Sequence, residues 1–518
     1  MRIRLALRLV PMCAGFIALA VTPHSIVAAG ATSCESLSSL VLPNTTITSS
    51  QAVAAGGFML PASPGRAGGP GGGGQAFAEL PAFCRVAATL TPSSDSDIRV
   101  EVWLPATGWN GKFEAVGNGG FAGSISYPAM AEALRRGYAT SSTDTGHSGG
   151  GANFAMGHPE KLIDFGYRSV HEMTVAAKAI VGAFYGSGSQ QSYFNGCSTG
   201  GRQALQEAQR FPSDFNGIIA GAAPHIQPRL LSGVVWVGQA ALKDPGSSIP
   251  RTKYPAIHKA VLASCDALDG LEDGLIDDPT RCHFDPKLLQ CQGNEGPECL
   301  TAAQVETARK IMAPESRTGS EVFLGLERGG ELGWGGLTGG PEPNGDGIGQ
   351  FKYIVFENPN WDWRTFNAKT DVARAENAYG GLINANDPNL KPFAFHGGKL
   401  ITYHGWADTT IPSHASIAYY GRVLDTMGGV SKTQDMYRLF MVPGMGHCGG
   451  GEGPNSFDML TALEQWVEKG QAPGQIVASH STAGNVNRTR PLCPYPQVAR
   501  YTGTGSIDDA ANFVCRMP

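Results

Sequence analysis

Ser198 stands in Gly196-Cys197-Ser198-Thr199-Gly200, a Gly-x-Ser-x-Gly pattern between an apolar, strand-like run and a helix-like run. A serine in that position serves nucleophilic catalysis: a strained strand-to-helix turn presents its hydroxyl, and small residues at 196 and 200 let the turn approach its neighbours. Tyr193 and Phe194 lie upstream, and Ala204, Leu205 and Ala208 follow at helical spacing. The pattern alone is a weak signal in a chain with 70 glycines. A serine hydroxyl also needs a base to activate it, so a histidine and an acid must be found in the right places.

Both follow downstream. Residues 399–404 read as a buried strand, and Gly405-Trp406-Ala407-Asp408 puts a carboxylate just beyond its end. A helix-like segment, residues 413–427, leads to a second apolar run, residues 437–442, which ends in Pro443-Gly444-Met445-Gly446-His447-Cys448. His447 is the expected general base and Asp408 the acid that fixes its tautomer. Among 12 histidines, His225, His396 and His404 also lie near strand ends, and Asp425 and Asp435 are further acids. Chain order selects His447 and Asp408, because serine, acid and histidine on successive strand ends is the order of an α/β-hydrolase sheet. The glycine loop 117–120 follows another strand-like run, residues 112–116. Its Gly119 or Gly120 N–H, with that of Thr199, is expected to form the oxyanion hole.

Elements that would carry these residues fall into two blocks. Residues 99–104 alternate like an edge strand, 138–144 and 217–222 are further strand candidates, and 169–185 reads as a helix. The sheet resumes only at Lys399, so the intervening residues form an insertion, a lid over the strand ends. The expected division is a signal peptide at 1–30, an α/β-hydrolase core at 31–225 and 396–518, and a lid domain at 226–395. Residues 65–74 form a glycine-rich loop of low complexity without an inferred role.

Arg2, Arg4 and Arg8, then an apolar run over 9–21, then Ala28, Ala29 and Ala31 make a secretory signal peptide. No later segment has 18 uninterrupted apolar residues, so the processed chain is expected to be secreted or periplasmic, without a membrane partner. Cys13 leaves with the signal, and ten cysteines remain of 11. An even count in an exported chain implies disulfides. Folding that joins Ser198 to His447 also brings Cys197 beside Cys448. Local spacing favours Cys265 with Cys282, Cys291 with Cys299 and Cys493 with Cys515, leaving Cys34 with Cys84, although spacing alone does not fix connectivity. The formal charge of −5 falls near −8 without the signal arginines, which argues against nucleic acid as a partner.

Within the insertion, residues 265–278 read Cys-Asp-Ala-Leu-Asp-Gly-Leu-Glu-Asp-Gly-Leu-Ile-Asp-Asp. Oxygen ligands and curling glycines at 270 and 274 suit calcium, in a spacing that is not an EF-hand. With these residues assembled, the chain resembles the tannase and feruloyl esterase family of secreted serine esterases, which includes hydrolases of mono(2-hydroxyethyl) terephthalate. Its marks are Cys197-Ser198, His447-Cys448 and the acidic loop. The resemblance implies structural calcium held by Asp266, Asp269 and Asp273 with the carbonyls of Leu271 and Leu275, and hydrolysis of a small aromatic ester, from plant cell walls or tannins. Feruloyl esters come first, with galloyl and terephthalate esters as alternatives. A flat acyl group asks for a pocket lined by lid aromatics, for which Phe356, Trp361 and Trp363 are candidates, though lid core is the more ordinary place for them. A serine peptidase and a calcium-stabilised binding protein are more remote readings.

Overall fold

The computed structural model describes residues 32–61, 77–121, 123–312, 323–338 and 340–518. The signal segment and the glycine-rich loop of residues 65–74 therefore lie outside the described residues.

Nine strands make one sheet in the order β1-β2-β3-β5-β4-β6-β7-β8-β9. They are β1 (Thr45–Val53), β2 (Phe83–Leu90), β3 (Ile98–Pro105), β4 (Lys112–Val116), β5 (Ala139–Thr143), β6 (Gln191–Cys197), β7 (Gly217–Gly221), β8 (Lys399–Gly405) and β9 (Tyr437–Val442). From β5 across to β9 all neighbours are parallel, whereas β1, β2 and β3 are antiparallel additions. Strands buried on both faces read as continuous apolar runs, which is why β7, β8 and β9 were legible. Helix α1 (Ser169–Tyr185) packs into the core on one face. A separate cluster that includes Leu463 and Trp466 covers the other. This is an α/β-hydrolase sheet.

The alternation at residues 99–104 does not mark an edge. β3 lies inside the sheet, flanked by β2 and β5. Glu101 is buried but fully answered: it accepts from Arg85 Nε, Trp103 Nε1 and Tyr127 Oη, each at 2.8 Å. A polar residue with buried partners imitates a solvent-facing one in sequence.

Helix α2 (Thr199–Arg210) follows β6 directly, and α3 (Gln227–Ala241) begins the insertion after β7. Between β7 and β8 the described residues contribute no strand to the sheet. They supply helices such as α4 (Tyr254–Cys265) and α5 (Gly345–Gly349), packed in two apolar clusters, the second shared with Phe121, Ala152, Leu162 and Phe165 from ahead of the insertion. Phe351, Trp361 and Trp363 are buried in one of these, with Phe356 packed against it. Beyond β9 come the helix Met459–Lys469 and two small antiparallel sheets, β10 (Ile476–Thr482) with β11 (Asn485–Leu492) and β12 (Val498–Tyr501) with β13 (Phe513–Arg516). These hairpins stay outside the main sheet. No helix among the described residues is long and apolar enough to cross a membrane.

The turn from β6 into α2 depends on contact distances that exclude a side chain. A Cβ on Gly201 would lie 2.2 Å from the carbonyl oxygen of Gly221 in β7. Alanine in a helix ordinarily gains up to about 1 kcal/mol over glycine, but overpacking against backbone costs about 1–3 kcal/mol. Gly201→Ala should therefore lower the melting temperature against helix propensity; an equal or higher value would contradict this close approach.

Candidate active site

Ser198 sits between the last residue of β6 and the first of α2 at φ 62° and ψ −127°, a left-handed position that non-glycine residues rarely occupy. Its own N–H donates to Gly221 O at 3.0 Å, tying the turn to the neighbouring strand. Gly196 fits there because a Cβ would lie 2.6 Å from the Gly200 carbonyl group.

His447 follows β9. Its Nε2 lies 2.9 Å from Ser198 Oγ, and its Nδ1 lies 2.7 Å from Asp408 Oδ2. With the proton on Nδ1, that edge donates to the carboxylate and the other accepts from the serine hydroxyl. Asp408 follows β8, and its loop is joined to the histidine loop by Ala407 N–H donating to Met445 O at 3.0 Å. A side chain at Gly405 would collide with that same carbonyl, at 2.2 Å. The Gly-x-Ser-x-Gly pattern and chain order thus pointed to the three residues that the structure brings into one hydrogen-bonded line. Asp425 and Asp435 take no part in it, and His225 and His396 do not contact Asp408.

His404, at first only a rival for the base, has a different place. Fully buried at the end of β8, it puts Nε2 3.1 Å from Asp408 Oδ2 and 3.1 Å from Ile411 O. Both neighbours are acceptors, so Nε2 carries the proton, and Nδ1 accepts from Ser416 Oγ at 2.7 Å. Ser416 belongs to α6 (His414–Met427). Asp408 Oδ1 accepts from the N–H groups of Thr410 at 2.7 Å and Ile411 at 3.0 Å. Burial alone would push this carboxyl up. Hydrogen bonds from His404 and His447 outweigh it and hold Asp408 well below the usual carboxylate range.

The glycine loop is clamped from α2. Gln203 accepts from Asn118 N–H at 3.1 Å and donates to Asn118 Oδ1 at 3.0 Å. Gly200 N–H donates to Asn118 O at 2.8 Å, and Thr199 Oγ1 to Gly120 O at 2.7 Å. Gln203 was not legible as a site residue, since nothing marks its partner in sequence. Among the described residues, no hydrogen bond occupies the N–H of Thr199, Gly119 or Gly120. Those N–H groups are thus free to face a ligand oxygen beside Ser198.

A cavity of about 710 Å³, open to solvent, lies over Ser198 and Thr199. Its apolar wall comes from Phe121, Leu230, Leu231, Val234, Leu337 and Ile411. Phe356, Trp361 and Trp363 do not line it. The three rings take the lid-core place, with Phe356 stacked on Trp361 at 5.5 Å, so a pocket lined by these lid aromatics is not what the structure shows; aliphatic side chains of α3 line the cavity at the serine instead.

Five disulfides join Cys34 to Cys84, Cys197 to Cys448, Cys265 to Cys282, Cys291 to Cys299 and Cys493 to Cys515. The third clamps the acidic loop, whose Gly270 and Gly274 adopt φ 93° and 80°. Asp266 accepts from Gly274 N–H at 2.8 Å, Asp269 from Leu271 N–H at 2.9 Å and Asp273 from Leu275 N–H at 3.2 Å. Nearby, Asp277 Oδ1 is buried without a hydrogen-bond partner, and its counter-charge, Arg490 Nη1, stands 4.0 Å away and is shared with Asp273, which leaves negative charge for a cation to offset. On that count the loop fits a hard cation. Arg490 nevertheless pairs with Asp273, and the one group of three among the described residues with ligand atoms within 4.8 Å of each other is His171, Glu207 and Asp214. In that trio the 2.7 Å contact of His171 with Asp214 and a Glu207 carboxyl pushed well up by burial account for the packing without an ion.

The family model described as tannase and feruloyl esterase matches residues 84–516. The chain belongs to the tannase and feruloyl esterase family. It is a carboxylic ester hydrolase of that family. An uncharacterised esterase of Xanthomonas campestris is 40% identical, over 94% of this chain and 92% of its own. A probable feruloyl esterase B-1 of Aspergillus oryzae is 35% identical, with 84% of each chain covered. The crystal structure of feruloyl esterase B from Aspergillus oryzae superposes with a TM-score of 0.85 at 33% identity, covering 93% of this chain and 99% of that one. A tannin acyl hydrolase from Aspergillus niger, at TM-score 0.74 and 23% identity, shares the fold.

Removing one donor from an ionised, buried carboxylate costs about 1.5–3 kcal/mol, or roughly 10- to 100-fold in rate if felt at the transition state. His404→Leu should lower kcat by that factor with KM little changed, and His404→Gln, which can still donate, should recover part of it. Equal kcat in all three proteins would deny His404 a role in holding Asp408.

Proposed function

We propose that the chain is an exported serine esterase that hydrolyses esters of aromatic acids, hydroxycinnamoyl (feruloyl) esters foremost, by way of an acyl-enzyme. The observation that carries this reading is the line from Ser198 Oγ to His447 Nε2 at 2.9 Å and from His447 Nδ1 to Asp408 Oδ2 at 2.7 Å, at the floor of an apolar-walled cavity. Relatives named feruloyl esterase support the acyl group, and five disulfides with the signal-like first 30 residues support export to the periplasm or beyond.

In this mechanism Ser198 Oγ attacks the ester carbonyl while His447 Nε2 takes its proton, and Asp408 stabilises the imidazolium. The carbonyl oxygen gathers negative charge opposite the N–H of Thr199 and of Gly119 or Gly120. His447 then returns the proton to the departing alcohol. Water enters and attacks the acyl carbon as His447 takes its proton; His447 then returns that proton to Ser198 Oγ as the acyl–oxygen bond breaks and the acid leaves. The cavity's apolar wall receives the acyl group and limits competing water.

We further propose that Asp266, Asp269 and Asp273 with the carbonyls of Leu271 and Leu275 hold a structural calcium ion, which would neutralise crowded carboxylates and take no part in the chemistry. Refolding in calcium followed by metal analysis should find about one ion per chain, and chelation should lower the melting temperature. No bound calcium and an unmoved melt would refute that site.

The function is tested by acid release from methyl ferulate, methyl gallate and mono(2-hydroxyethyl) terephthalate. Methyl ferulate should be hydrolysed, and folded Ser198→Ala should lose at least about 10⁴-fold in kcat. Silence on all three esters, or wild-type rates in the variant, would overturn the reading; cleavage of an aromatic amide in preference to the esters would favour a peptidase.

A further inference from the structure

Among the described residues lining the cavity at Ser198, Asp346 is the only ionisable one. It lies on α5, where its N–H donates to Asn344 Oδ1 at 2.9 Å, so its backbone is fixed by the helix cap. Asp346 Oδ2 hangs over the glycine loop, 3.6 Å from where a Cβ on Gly120 would begin. The side chain is half-buried, yet among the described residues the carboxylate has neither an ion pair nor a hydrogen-bond donor. Burial pushes its carboxyl up from the ordinary value. A second acceptor belongs to the same wall: Gln227 is 4% exposed, and its Oε1 is buried without a partner. A wall made largely of apolar side chains, with Asn344, Thr409 and Thr410 at its margin, therefore holds two acceptors to which no donor among the described residues is hydrogen-bonded. Buried acceptors without donors are costly, and a ligand that brings the donor recovers that cost.

An aromatic ring matches Leu230, Leu231, Val234, Leu337 and Ile411, and a phenolic hydroxyl on such a ring is a donor. A second carboxylate on the ring is the opposite: it donates nothing and meets a negative charge. Resting on the esterase reading of this cavity, we propose that Asp346 determines specificity, accepting a hydrogen bond from a phenolic hydroxyl of the substrate and disfavouring aromatic esters that carry a free carboxylate. The substrate class is thereby narrowed to hydroxylated aromatic esters, and terephthalate monoesters move to the back.

Two substrate pairs read this directly, each pair measured on one protein sample so that partial misfolding cancels in the ratio. The first is methyl 4-hydroxycinnamate against methyl 4-methoxycinnamate. The second is monomethyl terephthalate, an anion, against dimethyl terephthalate. In wild type the phenol should be preferred in kcat/KM by about tenfold or more, and Asp346→Ala should bring that ratio close to one. In Asp346→Ala and in the isosteric Asp346→Asn, the anion-to-neutral terephthalate ratio should rise by about tenfold. Turnover of these esters with both ratios unmoved in the variants overturns the assignment of Asp346 and leaves the esterase reading standing. No turnover of any of the four by folded wild type overturns both. A sugar hydroxyl on the alcohol side is the other source of a donor. If the variants lose preference for a feruloyl arabinose ester over methyl ferulate while the phenol ratio holds, the phenol is the wrong donor and the proposal falls.

Discussion

Ser198 and His447 reach each other across two lengths of chain that a helical insertion separates, and a covalent bond between their immediate neighbours fixes the approach. Cys197 and Cys448 are 251 residues apart in sequence and 5.9 Å apart at Cα. In the chain-entropy account, closing a loop of that length removes on the order of 5 kcal/mol of unfolded-state freedom. The local consequence is greater than the global one. A serine at φ 62° and a cysteine at φ 60° are both strained positions, one on each side of the bridge. Strained turns persist only where their surroundings over-determine them. The bridge ties each turn to the other, while Gly221 O, Met445 O and the Gly405 contact tie both to the sheet.

Asp408 shows the electrostatic side of the same constraint. A buried carboxylate would ordinarily take a proton, and a protonated acid cannot steady an imidazolium. Four donors prevent this: two ring N–H groups at Oδ2 and two backbone N–H groups at Oδ1. The backbone pair comes from the turn that leads into α6, and His404 is braced in turn by Ser416 on that helix. The position of one oxygen therefore depends on β8, on α6 and on the loop between them.

How much of this could be read beforehand follows from what a sequence encodes locally. Apolar runs ending in Asp408 and His447, and small residues around Ser198, are local signals, and they led to the residues that the structure joins. Cysteine spacing gave the five pairs for a related reason, since most are short-range and the long one follows from the triad. Tertiary pairings were not legible. Glu101 read as an exposed position because Arg85, Trp103 and Tyr127 cannot be recognised as its partners in one dimension. His404 read as a rival base for the same reason, and Gln203 carried no signal at all. The rings of Phe356, Trp361 and Trp363 announced burial without saying against what.

That last gap separates the two halves of the function. Ser198, Asp408 and His447 hang from β6, β8 and β9, strands whose register the parallel sheet fixes. The cavity wall comes instead largely from α3, from residues 336–337 and from α5, all within the insertion. A change in the insertion leaves the proposed triad's strands in place, and the sheet itself supplies only the part of the wall on the loops after its strands, Phe121 after β4 and Ile411 after β8 among it. On the proposed mechanism, proton transfer would be a property of the sheet, whereas substrate choice would belong largely to insertion side chains that meet the serine only in three dimensions. The apolar wall links the two: by excluding water it strengthens both the oxyanion contacts below and whatever polar recognition occurs on the wall. A single carboxylate such as Asp346 can weigh heavily there, because no other described residue on that wall carries charge.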